Sequence, residues 1–589
     1  MSDIGAIRAG ARRDFAPPAA AGPSVSLVRL TLRDGWILVV LLAASLVLFA
    51  LLPTGRLIIA AMFRAGSFVP DTALVEITSR AALRALAHTL ETGVASAVLA
   101  LALGLAAALA VTLVDVRGRR VFSFLFVLSM MMAPQVVALA FIAAVGPSSP
   151  LLNTLGLAPE PGSPNPLRGA GGIVAVLALH HAPLAFVTLR AGLRRIPREL
   201  VDAASVDGAS RLRVVTQIVL PLLRGHIVVA GILCFVAGIG NFGIPALLGL
   251  PVNYLTLPTL IYRRLSSLGP SVIGDAAAVS LLLIVLTVVG LLVARRLTPA
   301  DDARLEAGSS VEGMWSAGRL GPVLQAAMAL MLVLVLGIPL LSLLTAALVP
   351  TYGVALTVDT LTLDNFVEVL VRQSSTARAF RNSLVFSGAA AGLVALLALP
   401  LGYVLARYAG TWRSLIEGLF EIPYALPGIV LALACILLFL KPLPVFEVSL
   451  YGTPFIIIFA YVARFLPLAL KPVTATMAQL DPSVEEAASV CGAGAWERLR
   501  HILAPAVAPT MAAGALLSFL IAFNELTVSA LLWSRGTETL GVVLFSLEEA
   551  GLVSPAAAVA LAAVAVVTLV MLMLDRMAGR LPPEILPWR

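Results

Sequence analysis

Four positions with ionisable or amide side chains sit deep in long apolar runs of this 589-residue chain: His180, Asn241, Arg464 and Glu525, with Asn524 beside the last. A charge at the centre of a hydrocarbon layer costs ~2.5–3.5 kcal/mol on insertion scales, so such residues pair, line a polar path, or do both. Arg464 and Glu525 have opposite signs and lie on different apolar runs. They are expected to form an ion pair or to line a translocation path jointly; a purely structural tie between two helices is the competing reading. His180 and His181 are adjacent, and adjacent residues point about 100° apart around a helix, so their rings cannot easily share an ion. A hydrogen-bonded packing role is expected for them, and no metal site is predicted. Cys234, Cys435 and Cys491 share no ligand spacing and read as small buried hydrophobes.

A second pattern is polar and occurs twice: "VDAASVDGASRLRVVTQIVLP" from Val201 and "EEAASVCGAGAWERLRHILAP" from Glu485. Acids precede small alanines, a glycine permits a turn, and apolar residues then recur at helical spacing among basic ones. The pattern predicts a helix, a turn and a second short amphipathic helix stopped by proline: an elbow whose Ala-Ala face lets another protein approach closely. An amphipathic stretch floating at the lipid interface is the alternative.

The elements that carry these residues follow from composition. The chain is 60% hydrophobic and 12% charged, with a mean hydropathy of +1.01, against roughly 25% charged residues in soluble proteins. Apolar runs long enough for the ~30 Å hydrocarbon core recur throughout. Spans are predicted near 36–60, 86–114, 121–146, 171–193, 226–250, 272–297, 322–349, 382–408, 415–440, 453–475, 510–533 and 553–577, an all-α polytopic protein of about twelve transmembrane helices. The first run is too long for a signal-peptide core and is read as a retained anchor. Arginines such as Arg117, Arg119, Arg120, Arg194, Arg195, Arg407 and Arg576 fall on one side if both termini are cytoplasmic, with Arg263 and Arg264 the exception. That topology accounts for the net charge of +8, and no basic-aromatic cluster supports a nucleic-acid partner.

The chain repeats itself. A constant shift of 284 relates Asp202 to Glu486, Gly208 to Gly492, Ile218 to Ile502, Pro221 to Pro505, Pro183 to Pro467, His180 to Arg464 and Asn241 to Glu525. Earlier in each half, His88 matches Asn382 and Pro134 matches Pro427. Two homologous six-helix halves therefore enter the membrane in the same direction, related by an axis along its normal. The expected organisation is a cytoplasmic tail 1–35, a first half 36–297, a polar and flexible cytoplasmic linker 298–321, a second half 322–582 and a tail 583–589.

The repeated pattern resembles the cytoplasmic coupling motif of type I ABC importer permeases: Asp202, Ala203, Ala204, Gly208, Ile218 and Pro221 in one copy, Glu486, Ala487, Ala488, Gly492, Ile502 and Pro505 in the other. Asp202 stands where the family usually has Glu, and Ala504 where it usually has Leu. The fused double form is similar to permeases of the ferric-iron uptake group and its thiamine and phosphonate relatives. The resemblance implies a bacterial inner-membrane permease subunit that is not itself an enzyme, served by two copies of a cytoplasmic ABC ATPase and by a periplasmic or extracellular binding protein. ATP and magnesium belong to the ATPase, since this chain has no G-x-x-x-x-G-K-[ST] phosphate loop; the chain itself is expected to hold no cofactor. Loops 146–170 and 350–381 would be platforms for the binding protein, and membrane lipid surrounds the spans. Iron(III) is the substrate the resemblance implies, with thiamine, a phosphonate or a polyamine as alternatives. Two elbows argue against a secondary transporter with duplicated halves, and a non-transporting membrane scaffold would show no substrate-dependent stimulation of a partner ATPase.

Overall fold

The computed structural model describes residues 36–64, 67–267, 272–297, 311–442, 447 and 449–577. The predicted terminal tails and the first part of the linker lie outside the described residues. Among those described, ten helices are long and apolar enough to cross a membrane, and three further helix pairs pass the same test only as bent spans.

Ten of the twelve expected spans correspond to continuous helices. The other two, 121–146 and 415–440, are broken: Arg119–Met130 meets Pro134–Ala144 at 99°, and Gly410–Ala425 meets Gly428–Phe439 at 100°. Proline sets both breaks, because the residue before it is pushed out of the helical region. Ala133 and Leu426 are accordingly extended, with ψ of 139° and 135°. The fifth span also differs from its expected limits, ending at Gly240, after which Gly243–Val252 and Leu257–Leu265 form a hairpin bent by 74°. That hairpin carries Arg263 and Arg264, the exceptions to the charge rule. Arg263 donates to Asn253 and Arg264 pairs with Glu76, so local partners hold them at the end of the bundle away from the elbows.

The two halves repeat the attachment of this hairpin. His88 Nδ1 lies 2.9 Å from the Leu255 carbonyl, and Thr89 Oγ1 accepts from the Leu257 amide. In the second half Asn382 donates to the Glu538 carbonyl and Ser383 Oγ accepts from the Leu540 amide. Sequence similarity at this point thus reflects a shared backbone hydrogen-bonding task.

The halves interlock through their first spans. Leu52–Met62 packs on Gly428–Phe439 of the other half as well as on Val272–Leu297 of its own, and Ile338–Ala347 does the reverse, packing on Pro134–Ala144 and on Val553–Met577. Two apolar cores centre one on each half, each completed by the first span of the other (Leu38 and Leu42 in one, Met328 and Val335 in the other), and a third core at the seam draws residues from both. Small residues bring backbones together, as van der Waals packing in lipid favours: a Cβ at Gly104 would lie 2.5 Å from that of Ala185.

The linker is not flexible over its whole length. Val311 is fully buried, the Gly313 amide donates to the Thr112 carbonyl at 2.7 Å, and Trp315–Ser316 pairs in parallel with Val114–Asp115. Glu312 Oε1 receives both Arg190 Nη2 and Arg194 Nη2 at 3.2 Å. Burial pushes the Glu312 carboxyl up, but Arg194 and Arg190 outweigh it and hold it below the usual glutamate value. The ion pairs therefore contribute stability above the ordinary glutamate pKa and lose it as pH falls through the depressed value. Glu312→Gln is expected to leave insertion intact and to raise proteolytic cleavage between 311 and 320 severalfold, measured by limited proteolysis.

Candidate functional site

Each elbow begins with a nine-residue helix, Arg198–Val206 or Pro482–Val490. Both helices end in the same turn. Gly208 has φ +80° and Gly492 φ +88°, a left-handed conformation that favours glycine. The Gly208 amide donates to the Ser205 carbonyl and the Ala209 amide to the Ala204 carbonyl; Gly492 and Ala493 repeat this with Ser489 and Ala488. These two bonds form a Schellman cap, which fixes the angle between the arms.

The second arm departs from expectation. It is not a short helix stopped by proline but the base of the next span, running unbroken over Arg211–Gly240 in one half and Ala495–Phe523 in the other. Pro221 and Pro505 are tolerated because a π-helical turn, Val215–Val219 or Leu499–Leu503, lies just before each and adjusts the backbone where the proline withholds a donor. Ile218 and Ile502 lie within those turns, half-buried.

Asp202, Ala203, Glu486 and Ala487 are exposed, and Ala204 and Ala488 are partly so. Beside them stand apolar residues that the sequence reading did not single out. Val206 is 88% exposed and Val490 89%, flanked by exposed Leu200 and Leu212 in one half and Val484 and Trp496 in the other. All three pairs obey the shift of 284; their exposure on a polar segment was the available signal. The elbows are anchored differently. Val201 is buried in the first half's core, whereas its counterpart Glu485 accepts from Arg407 Nε at 2.7 Å. Glu485→Ala is expected to destabilise the second elbow by about 1–3 kcal/mol, since both partners are only partly screened by water; limited proteolysis at 481–500 against the unchanged first elbow measures it.

Just past the far ends of the helices Arg211–Gly240 and Ala495–Phe523 stand Asn241, Asn524 and Glu525, with Arg464 and His180 on the neighbouring helices Pro454–Gln479 and Ala170–Leu193. Arg464 Nη1 lies 3.3 Å from Glu525 Oε1 and donates to Thr527 Oγ1 at 3.0 Å. Glu525 Oε1 also accepts from Thr527 Oγ1 and from the Val528 amide. In the first half Asn241 Oδ1 accepts from the Ile244 amide at 3.1 Å, the same cap served by a neutral side chain. No hydrogen bond joins His180 to Asn241; the two histidine rings are buried 5.1 Å apart, His181 hydrogen-bonds the Leu177 backbone, and His180 Nδ1 has no hydrogen-bond partner.

Asn524 crosses the seam. Its Nδ2 donates to the Met131 carbonyl at 2.8 Å, a group freed by the bend of the third span, and Gln135 Nε2 reaches the Asn524 carbonyl at 3.5 Å. Gln135, beside the noted Pro134, was missed, although a buried amide next to a helix breaker was legible. Around the related position a Cβ at Gly240 would lie 3.6 Å from Pro427. The two bends and the two helix ends therefore meet at the axis between the halves. Among the described residues no group of three His, Cys, Asp or Glu stands close enough to hold a metal ion.

The family model described as binding-protein-dependent transport system inner membrane component matches this chain twice, over residues 100–300 and 398–586. The protein y4fN of Sinorhizobium fredii, named as an ABC transporter permease, is 26% identical over 525 residues, covering 86% of this chain and 90% of that one. The ferric transport system permease protein FbpB of Actinobacillus pleuropneumoniae is 24% identical over 526 residues, 86% of this chain and 73% of that one. A Salmonella paratyphi A permease named for 2-aminoethylphosphonate transport, PhnV, is 27% identical over 220 residues, 37% of this chain and 81% of that one.

Proposed function

This chain belongs to the binding-protein-dependent transport system inner membrane components, carrying the family's module twice, and we propose that it forms the translocation path for iron(III) handed over by a binding protein outside the membrane and driven by two copies of a cytoplasmic ABC ATPase, one on each elbow. Both termini are then cytoplasmic, the elbows face the ATPases, and loops 146–170 and 350–381 face the binding protein. Those loops are clasped together across the halves, Asn153 donating to the Gly353 carbonyl and Thr154 accepting from the Leu356 amide, which supports a joint platform.

One observation carries the mechanism: the elbow and the seam are the two ends of a single helix. A helix of some thirty residues, Arg211–Gly240 or Ala495–Phe523, spans about 45 Å. ATP, with magnesium, is hydrolysed by the partner and supplies the displacement. This chain converts it. The exposed apolar triplet and the Ala-Ala face seat each elbow, the Schellman turn keeps its angle, and the stiff helix carries the movement to Asn241 or Asn524. Moving the second helix strains the Asn524 bond to Met131 and parts the two bends, opening the path toward the elbow side. Glu525, neutralised by Arg464, keeps that path polar without a fixed net charge.

Iron is supported by a relative named for ferric transport that matches across both halves, whereas the relative named for phosphonate transport matches a length of about one half. Reconstitution in liposomes with an ATPase and binding proteins loaded in turn with iron(III), thiamine, 2-aminoethylphosphonate or a polyamine tests this. Iron-loaded protein is expected to stimulate ATP hydrolysis and radiolabelled iron uptake; stimulation by another load alone reassigns the substrate, and uptake without ATP overturns the mechanism.

A further inference from the structure

A cavity of about 540 Å³ opens at the elbow end of the bundle, between the first half and the last span of the second. Its charged lining is Arg119 and Arg120 from the start of the third span, Arg190 and Arg194 from the end of the fourth, Glu312 from the linker and Asp575 from the twelfth. Four guanidiniums thus face two carboxylates. Glu312 is shared by Arg190 and Arg194, while Asp115, on the approach to the helix that begins at Arg119, is 3.9 Å from Arg119 and well exposed. Four guanidiniums against Glu312 and Asp575 leave the lining with a net excess of two positive charges.

The rest of the lining, Val121, Phe124, Leu125 and Leu572, is apolar. Val121 is 62% exposed and Leu572 43%, and Leu569 and Met573 on the same helix are exposed as well. On a membrane-spanning helix such a surface faces acyl chains. A pocket with cations inside and hydrocarbon at its mouth matches an amphipathic anion: guanidiniums hold phosphate oxygens in paired hydrogen bonds, and basic pockets between transmembrane helices on the cytoplasmic side take anionic headgroups. A free phosphate would use the charge alone and leave the exposed Val121 and Leu572 walls unused.

We propose that this cavity binds the phosphate headgroup of an anionic phospholipid from the elbow-side leaflet, with its acyl chains against Val121 and Leu572. The lipid bridges the third and fourth spans, the docked linker and the twelfth span, and so braces the two halves beside the first elbow.

The test uses the full chain in phosphatidylcholine nanodiscs doped with phosphatidylglycerol or cardiolipin, with native mass spectrometry counting retained lipid. One tightly held anionic lipid per chain is expected. Arg120→Gln, an exposed residue, is expected to weaken retention about fivefold, and Arg119→Gln with Arg120→Gln about 25-fold, at roughly a factor of five per arginine. Arg117→Gln, outside the cavity lining, leaves it unchanged. Equal retention in wild type and Arg120→Gln overturns the proposal, as does an Arg117→Gln effect of the same size, which marks general surface charge. Thermal stabilisation by millimolar inorganic phosphate in pure phosphatidylcholine, together with displacement of the anionic lipid by phosphate from the doped nanodiscs, overturns it in favour of a soluble anion. Should the double variant misfold, the single Arg120→Gln measurement decides.

Discussion

Gly492→Val and Gly208→Val are each expected to lower binding-protein-stimulated ATP hydrolysis at least tenfold while leaving insertion and thermal stability nearly unchanged. Both glycines sit at positive φ, +88° and +80°, where a residue with a side chain pays about 1–3 kcal/mol in strain and a β-branched one is a conformational outlier. A Cβ would meet nothing within 4 Å at either position. The effect therefore comes from the backbone, not from a clash. Relief of the strain breaks the two cap bonds, Ala493 to Ala488 and Gly492 to Ser489 in the second elbow, and re-aims a nine-residue helix whose packing to the rest of the bundle is slight. Loss at the elbow is then local, which is why global stability is spared. Gly492→Asn supplies the control, since Asn visits the left-handed region more readily than other residues with side chains; it is expected to retain most activity. Equal loss in the Val and Asn variants would show that the angle of the turn does not matter.

What was legible in the sequence, and what was not, divides along a physical line. The constant shift of 284 exposed the duplication because both halves need the same backbone devices at the same places: left-handed glycines at 208 and 492, and cap acceptors at 241 and 525. The 99° and 100° bends were hidden because apolar composition reports that a segment is in lipid, not which way it runs. Their prolines were visible, but a bend inside a membrane also needs something to satisfy the freed carbonyl. For Met131 that group is Asn524, 393 residues away. A proline locally predicts that the second arm of each elbow stops there, but a π turn just before it lets the helix continue. The linker's docking was likewise invisible locally: Val311, Glu312 and Trp315 find their partners on the first half, far back along the chain.

The intramembrane pair makes the second large prediction. Glu525→Leu is expected to destabilise the protein by about 3–5 kcal/mol, because it strands the Arg464 charge in a site where its side chain is only 18% exposed. Arg464→Met combined with Glu525→Leu should recover most of that loss, since replacing both members of a buried pair with apolar groups is often neutral. Stability and transport then come apart. If the pair only ties the tenth and eleventh spans together, the double variant transports normally; if it lines the path, the double variant is stable and transport-dead, measured as thermal unfolding in detergent beside iron uptake in liposomes. Glu525→Gln refines the choice. It keeps an oxygen for the Val528 amide and Thr527 but removes the charge, and the first half already makes the equivalent cap with neutral Asn241. The charge on Glu525 is therefore not needed for the cap itself, and what Glu525→Gln removes is the counter-charge to Arg464. Normal stability and normal transport in Glu525→Gln would remove the path role; normal stability with transport lost would assign the carboxylate to the moving ion.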